Sequence, residues 1–138
     1  MTINRKFPNT RLRRLRRNSN LIDLVAETNL GPQDLIQPIF IKENFNGIES
    51  IESMPGINRF GIDEVLKEIE EVIESGINTI AVFPVVESDK KDSKGSEATK
   101  EDNFISSAIK KIKKNFPNII LIADVALDPY TDHGHDGI

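Results

Sequence analysis

The chain contains no cysteine. That excludes a disulfide framework and a thiolate zinc site, and it removes the compositional signal for a redox compartment. No stretch approaches the roughly eighteen uninterrupted apolar residues of a membrane helix, and the N-terminus lacks the apolar segment of a secretory signal. The expectation is therefore no membrane span, no export and a cytoplasmic location. Aromatic residues are scarce, at 6%, and Phe7 is the only one among the first seventeen positions. That weakens a nucleic-acid reading of the basic N-terminus, because single strands are gripped by stacked aromatics.

What is present suits one domain with a real core: 138 residues, 38% hydrophobic and 29% charged. The net charge of −4 hides an asymmetry. Residues 1–17 hold seven basic residues (Arg5, Lys6, Arg11, Arg13, Arg14, Arg16, Arg17) and no acid, which leaves eleven basic against twenty-two acidic residues for the remainder. A basic arm on an acidic body suits contact with the acidic surface of another copy, ahead of a merely solvated arm, a targeting peptide or a nucleic-acid contact.

Taken in order, Asn18 to Asn29 reads as a short helix capped by Ser19 or Asn20 and ended by Gly31-Pro32. Leu35 to Ile41 (LIQPIFI) reads as a first strand, interrupted or near an edge at Pro38. Glu43 to Phe60 is a long connection with turn signals at Asn46-Gly47 and Pro55-Gly56, and it has room for a short hairpin. Gly61 to Gly76 is an amphipathic helix, with Ile62, Val65, Leu66, Ile69, Val72 and Ile73 on one face and glycine at its C-terminal cap. Ile77 to Val85 follows as a strand that Pro84 stops. Glu87 to Lys100 is a polar loop leaving the C-terminal end of that strand, where α/β folds carry function. Glu101 to Phe116 is a second amphipathic helix buried through Phe104, Ile105, Ala108, Ile109 and Ile112. Its acids Glu101 and Asp102 stand at the positive end of the dipole and its lysines at the negative end. Ile119 to Ala126 is a third strand, β-branched or aliphatic without alternation over Ile119–Ala123, as in strands buried on both faces.

The order β, α, β, α, β fits a parallel sheet with helical crossovers. It suits either an open doubly wound sheet or part of a (β/α)8 barrel. A glycine-rich phosphate loop after the first strand would favour the open sheet, and none is present. A closed barrel takes roughly 250 residues, so a barrel reading makes this chain the first part of one.

The chemistry is concentrated between Asn118 and Ile138, where the apolar run gives way to Asp124, Asp128, Asp132, His133, His135 and Asp136. Asp124, at the C-terminal end of the third strand, stands where barrel enzymes place residues facing substrate. The plainer alternative is an aspartate satisfied by backbone N–H groups or by a lysine. Asp128 and Asp136 are of the ligand type that suits magnesium, although Asp128-Pro129 and Asp136-Gly137 are also turn-formers. His133 and His135 are two apart and point the same way in an extended segment, so zinc stays open, behind a catalytic or substrate-facing use and a simple loop role. Ser96, in Lys94-Gly95-Ser96-Glu97-Ala98, has no local base. Its functional reading is a substrate-binding lid.

Several of these stretches together resemble one family. Arg11 to Arg17 (RLRRLRR), Asp34 to Phe40 (DLIQPIF), Ser53-Met54-Pro55-Gly56, Val82-Phe83-Pro84-Val85, Lys94 to Ala98 and above all Asp124 to Gly137 (DVALDPYTDHGHDG) look like porphobilinogen synthase, also called 5-aminolevulinate dehydratase. The match runs in the right order from about Arg11 to Ile138. The resemblance implies a (β/α)8 barrel in the α/β class, with residues 1–30 as an arm that wraps a neighbouring subunit, commonly in a homo-octamer, and residues 31–138 as the first part of the barrel. It implies condensation of two molecules of 5-aminolevulinate to porphobilinogen through two Schiff-base lysines, with no organic cofactor. Asp124 matches an active-site aspartate that assists proton transfer. Zinc-dependent members carry three cysteines where this chain has Ala126, Asp128 and Asp136, so it resembles the aspartate-rich, zinc-independent branch, often linked to magnesium. Neither Schiff-base lysine matches Lys90, Lys91, Lys94 or Lys100, and the implied reading is an incomplete, inactive portion of the enzyme. The alternatives are a non-catalytic half-barrel partner of a full-length enzyme, or a metal- or nucleic-acid-binding module.

Overall fold

The computed structural model describes residues 6–8 and 10–136. The chain divides into two compact units, Met1–Leu30 and Gly31–Ile138. In the first, a 3-10 turn over Arg14–Arg16 precedes helix α1, Ser19–Leu24. Its cap is Asn18, one residue before Ser19 and two before Asn20, with its Oδ1 accepting from the Leu21 N–H at 2.9 Å. The helix stops at Leu24 rather than running on to Asn29. It buries none of its residues, and so short a helix without tertiary burial has nothing to extend it.

The second unit is a five-stranded sheet in the order β2-β3-β1-β4-β5. Strands β1 (Gln37–Lys42), β4 (Thr79–Val85) and β5 (Ile120–Ala123) run parallel, with Ile39 opposite Val82 and Ile80 opposite Leu121. Helices α2 (Ile62–Glu74) and α3 (Phe104–Asn115) are the crossovers between them. The long connection after β1 does form a hairpin, β2 (Ile48–Ser50) against β3 (Asn58–Phe60), and β3 joins β1 in parallel at Phe40 and Ile41. Glu49 straps the hairpin to β1: its carboxylate accepts from Lys42 and, at 2.6 Å, from Arg59. Those two cations, Lys42 foremost, hold its carboxyl below the usual range.

One face of the sheet is covered. Ile39, Ile41, Ile80 and Val82 are at most 1% exposed and pack under Val65, Ile69, Val72, Ala108 and Ile112 of the two helices. The opposite face carries Phe40 and Phe83, half-buried, with ring centroids 5.6 Å apart.

Three readings of the sequence are corrected here. Pro84 does not stop β4: it is buried inside the strand, opposite Ile41. Pairing with β5 ends at Val82, so β4 has one neighbour only at Pro84, and a residue without an N–H is tolerated there. Helix α3 begins after Asn103, whose Oδ1 accepts from the Ser106 N–H at 2.9 Å. Glu101 and Asp102 therefore precede the helix instead of occupying its first turn, whereas Lys113 and Lys114 do lie in its last. Strand β5 is shorter than Ile119–Ala126 and is not buried on both faces, since Ile120 is 60% and Ile122 41% exposed. It is the edge of the sheet, and α3 covers only the side that carries Ile119 and Leu121. Among the described residues no helix is long and apolar enough to cross a membrane.

Candidate active site at the C-terminal ends of the parallel strands

Three parallel strands deliver their C-terminal ends to one rim: Lys42 at the end of β1 with Glu43 after it, the loop from Val86 to Asn103 after β4, and the loop from Asp124 to Asp136 after β5. A cleft of about 650 Å³ opens on this rim, lined among others by Lys42, Glu43, Lys90, Glu97 and Lys100. Two ion pairs stand in it, Lys90 with Glu43 at 2.6 Å and Lys100 with Glu97 at 2.5 Å. The carboxylate partner raises the pKa of each lysine, so both ammonium groups are held charged. Glu97 is buried, and so is the Oε2 of Glu43, which has no hydrogen-bond partner among the described residues.

The two longer loops are stitched together. The Asp92 N–H donates to the Tyr130 carbonyl at 3.3 Å and the Asp132 N–H donates to the Asp92 carbonyl at 3.2 Å, making a short parallel bridge between Asp92 and Thr131. The Asp92 side chain turns back on its own loop, where Oδ1 accepts from the N–H groups of Lys94 (2.8 Å) and Ser96 (3.0 Å). Those bonds, the Ser96 backbone first, hold its carboxyl below the ordinary 3.8. Gly95 sits between them at φ +62°, buried against Leu127 and Thr131. Tyr130 lies under the bridge, 5% exposed, and its phenol is pushed above the usual range by burial, then by Glu97, Asp124 and Glu43.

Asp124 follows β5 directly and is exposed, not embedded in the strand, because the edge strand leaves that side open. Ser96 is exposed at the start of a 3-10 turn, Ser96–Thr99, with its N–H on Asp92. Asp128 and Asp136 are brought together, but through the backbone: Asp136 Oδ1 accepts from the N–H groups of Leu127 (2.6 Å) and Asp128 (2.9 Å). The rings of His133 and His135 stack with centroids 6.1 Å apart. The His135 N–H donates to His133 Nδ1 at 3.2 Å, which assigns the His133 proton to Nε2, 3.3 Å from the Ser93 carbonyl. Among the described residues no three His, Cys, Asp or Glu side chains converge as a metal would require.

The residues that sequence reasoning missed are Asp92, Gly95, Glu97, Tyr130 and the Glu43–Lys90 pair. A signal existed only for Asp92, two residues before a Lys-Gly-Ser turn, where an aspartate commonly accepts from the following backbone.

Comparison with known proteins decides the family. The delta-aminolevulinic acid dehydratase family model matches residues 9–138. The chain belongs to that family. The delta-aminolevulinic acid dehydratase of Chlamydia pneumoniae is 46% identical over 128 residues, covering 93% of this chain and 39% of that protein. That of Methanothermus sociabilis is 42% identical over 133 residues, covering 96% and 41%. A crystal structure of the Toxoplasma gondii ME49 enzyme in complex with its reaction product porphobilinogen superposes with a TM-score of 0.88 at 38% identity, covering 94% of this chain and 36% of that one. The chain thus spans about two fifths of the length of the curated dehydratases it matches. Its fold belongs with the (β/α)8 barrels, and β1, β4 and β5 are the parallel strands joined by its helical crossovers.

Proposed function

We propose that this chain serves the dehydratase reaction, the condensation of two 5-aminolevulinate molecules to porphobilinogen with loss of water in tetrapyrrole synthesis. The observation that carries the reading is the family match across residues 9–138. The site suits it. Asp124 is an exposed carboxylate at a strand end, the position of a group that moves a proton at substrate, and Ser96 is exposed on the loop after β4 as a substrate-binding or lid residue.

The Schiff-base amines of this chemistry must be neutral to attack a carbonyl, which calls for a depressed lysine pKa. Lys90 and Lys100 have the opposite environment, each charged against a carboxylate. Since neither Schiff-base lysine of the family matches Lys90, Lys91, Lys94 or Lys100, the expected outcome is that the 138-residue chain by itself does not turn over 5-aminolevulinate. Magnesium, on this reading, acts elsewhere than at Asp128 and Asp136, and zinc has no thiolates to hold it. The basic residues of the arm serve homo-oligomer contact, as in an octamer, in the cytoplasm.

Borohydride reduction in the presence of 5-aminolevulinate tests this. The purified chain should form no reduced adduct by mass spectrometry and no porphobilinogen. A chain extended to the length of the dehydratases should form both. An adduct on any lysine of the 138-residue chain, with turnover, overturns the assignment of the lysines; no activity in the extended protein overturns the function.

A further inference from the structure

Residues 124–136 carry four aspartates and both histidines of the chain. A divalent ion closing this loop would draw several carboxylate or imidazole atoms to one point. The described residues do something else. Asp136 Oδ1 takes two successive amides, Leu127 N–H at 2.6 Å and Asp128 N–H at 2.9 Å. Such charge-assisted bonds are the strong kind. Asp128 enters this contact through its backbone, not through its carboxylate. His133 has both ring nitrogens in use, Nδ1 accepting from the His135 N–H and Nε2 facing the Ser93 carbonyl. Of the pair that the resemblance offers for a metal, Asp136 is therefore committed to the loop itself through Oδ1, while the Asp128 carboxylate takes no part in the contact.

We infer that Asp136 is the internal anion that closes the loop after β5, doing by two hydrogen bonds to the Leu127 and Asp128 amides what a metal bridge would do. Asp128 and Asp136 are then not a ligand pair. Asp136 is a positioning residue for the loop that begins at Asp124, and Thr131 supports the same closure, buried with its hydroxyl within 3.1 Å of the His135 carbonyl. The inference concerns the site of the proposed function, but its test reads no turnover, so the two can fail separately.

The two aspartates should behave unequally, whereas a ligand pair would behave alike. In NMR hydrogen exchange, corrected for intrinsic rates, Asp136→Ala should speed exchange at the Leu127 and Asp128 amides by roughly tenfold or more. Asp136→Asn, which keeps an acceptor oxygen, should fall between wild type and alanine. Asp128→Ala should leave both amides at the wild-type rate. Titration with magnesium, and with manganese as a paramagnetic probe, should produce no broadening centred on residues 128 and 136. Equal acceleration in the two alanine variants overturns the inference, and so does manganese broadening at those residues that Asp128→Ala abolishes. If Asp136→Ala fails to fold, the manganese titration of the wild-type chain decides alone.

Discussion

The helix-covered face of the sheet and the stitched loops at its C-terminal rim are held by different forces. Under the helices, Ile39, Ile41, Ile80 and Val82 are sealed by hydrocarbon, which is indifferent to direction and sensitive to volume. At the rim, Asp92, Tyr130, Thr131, His133 and Asp136 are held by hydrogen bonds, which are sensitive to geometry and charge. The scaffold is therefore set by the first region, and the placement of Asp124 and its neighbours by the second. Damage to one should not look like damage to the other.

The sharpest test of that division is a pair of isoleucines. Ile80 is fully buried in β4, and Ile122, two strand positions into β5, is 41% exposed. Ile80→Ala should cost about 2–5 kcal/mol, the range for emptying a packed site. Ile122→Ala removes a side chain that keeps much of its water contact, and should cost under about 1 kcal/mol. Urea denaturation followed by circular dichroism reads both. Equal losses would mean that β5 is as deeply packed as β4.

The same contrast explains what the sequence made legible. The 3.6-residue spacing of α2 located it to within two residues at either end, because an apolar stripe and two flanking glycines are local signals. The order of strands and helices was equally plain. Burial of β5 was misread because an uninterrupted aliphatic run reports hydrophobicity without saying how many faces are covered. Pro84 was misread for a related reason: whether a strand tolerates proline depends on how far its neighbour reaches, which is a tertiary fact. At the site, the crowding of aspartates and histidines in the tail was visible, but the tail's partners were not. The His133 ring meets the Ser93 carbonyl forty residues away, and no local pattern at Ser93 announces that meeting.

Two glycines probe how tightly each region is built. A Cβ on Gly61, at the start of α2, would lie 2.1 Å from the Phe45 carbonyl oxygen, a backbone atom that cannot swing aside. Gly61→Ala should therefore destabilise the scaffold by about 1–3 kcal/mol, as overpacking does. At Gly95 there is room, since the nearest atom is 3.4 Å away, and only φ +62° resists a side chain. Gly95→Ala should cost about 1–2 kcal/mol from the left-handed backbone, with the change in amide shifts confined to the two stitched loops. Chemical-shift changes spreading into α2 and β1 would show that rim and scaffold are not separable.

The smallest effect should appear only on acidification. Asp92 has its carboxyl depressed in the folded chain by the Ser96 and Lys94 bonds, so the carboxylate form is favoured by folding. Its contribution to stability is fully present above the ordinary 3.8 and is lost as pH falls through the lower folded value. Asp92→Asn keeps an oxygen that can accept the same two N–H groups but cannot titrate. The variant should be slightly less stable than wild type near neutrality, and the gap should close as the pH drops below about 4. Thermal melts between pH 7 and pH 2.5 check this, with Ile80→Ala as the control whose deficit, being hydrocarbon, stays constant over the same range. A gap for Asp92→Asn that is equally independent of pH would mean that the rim loop is held by packing after all.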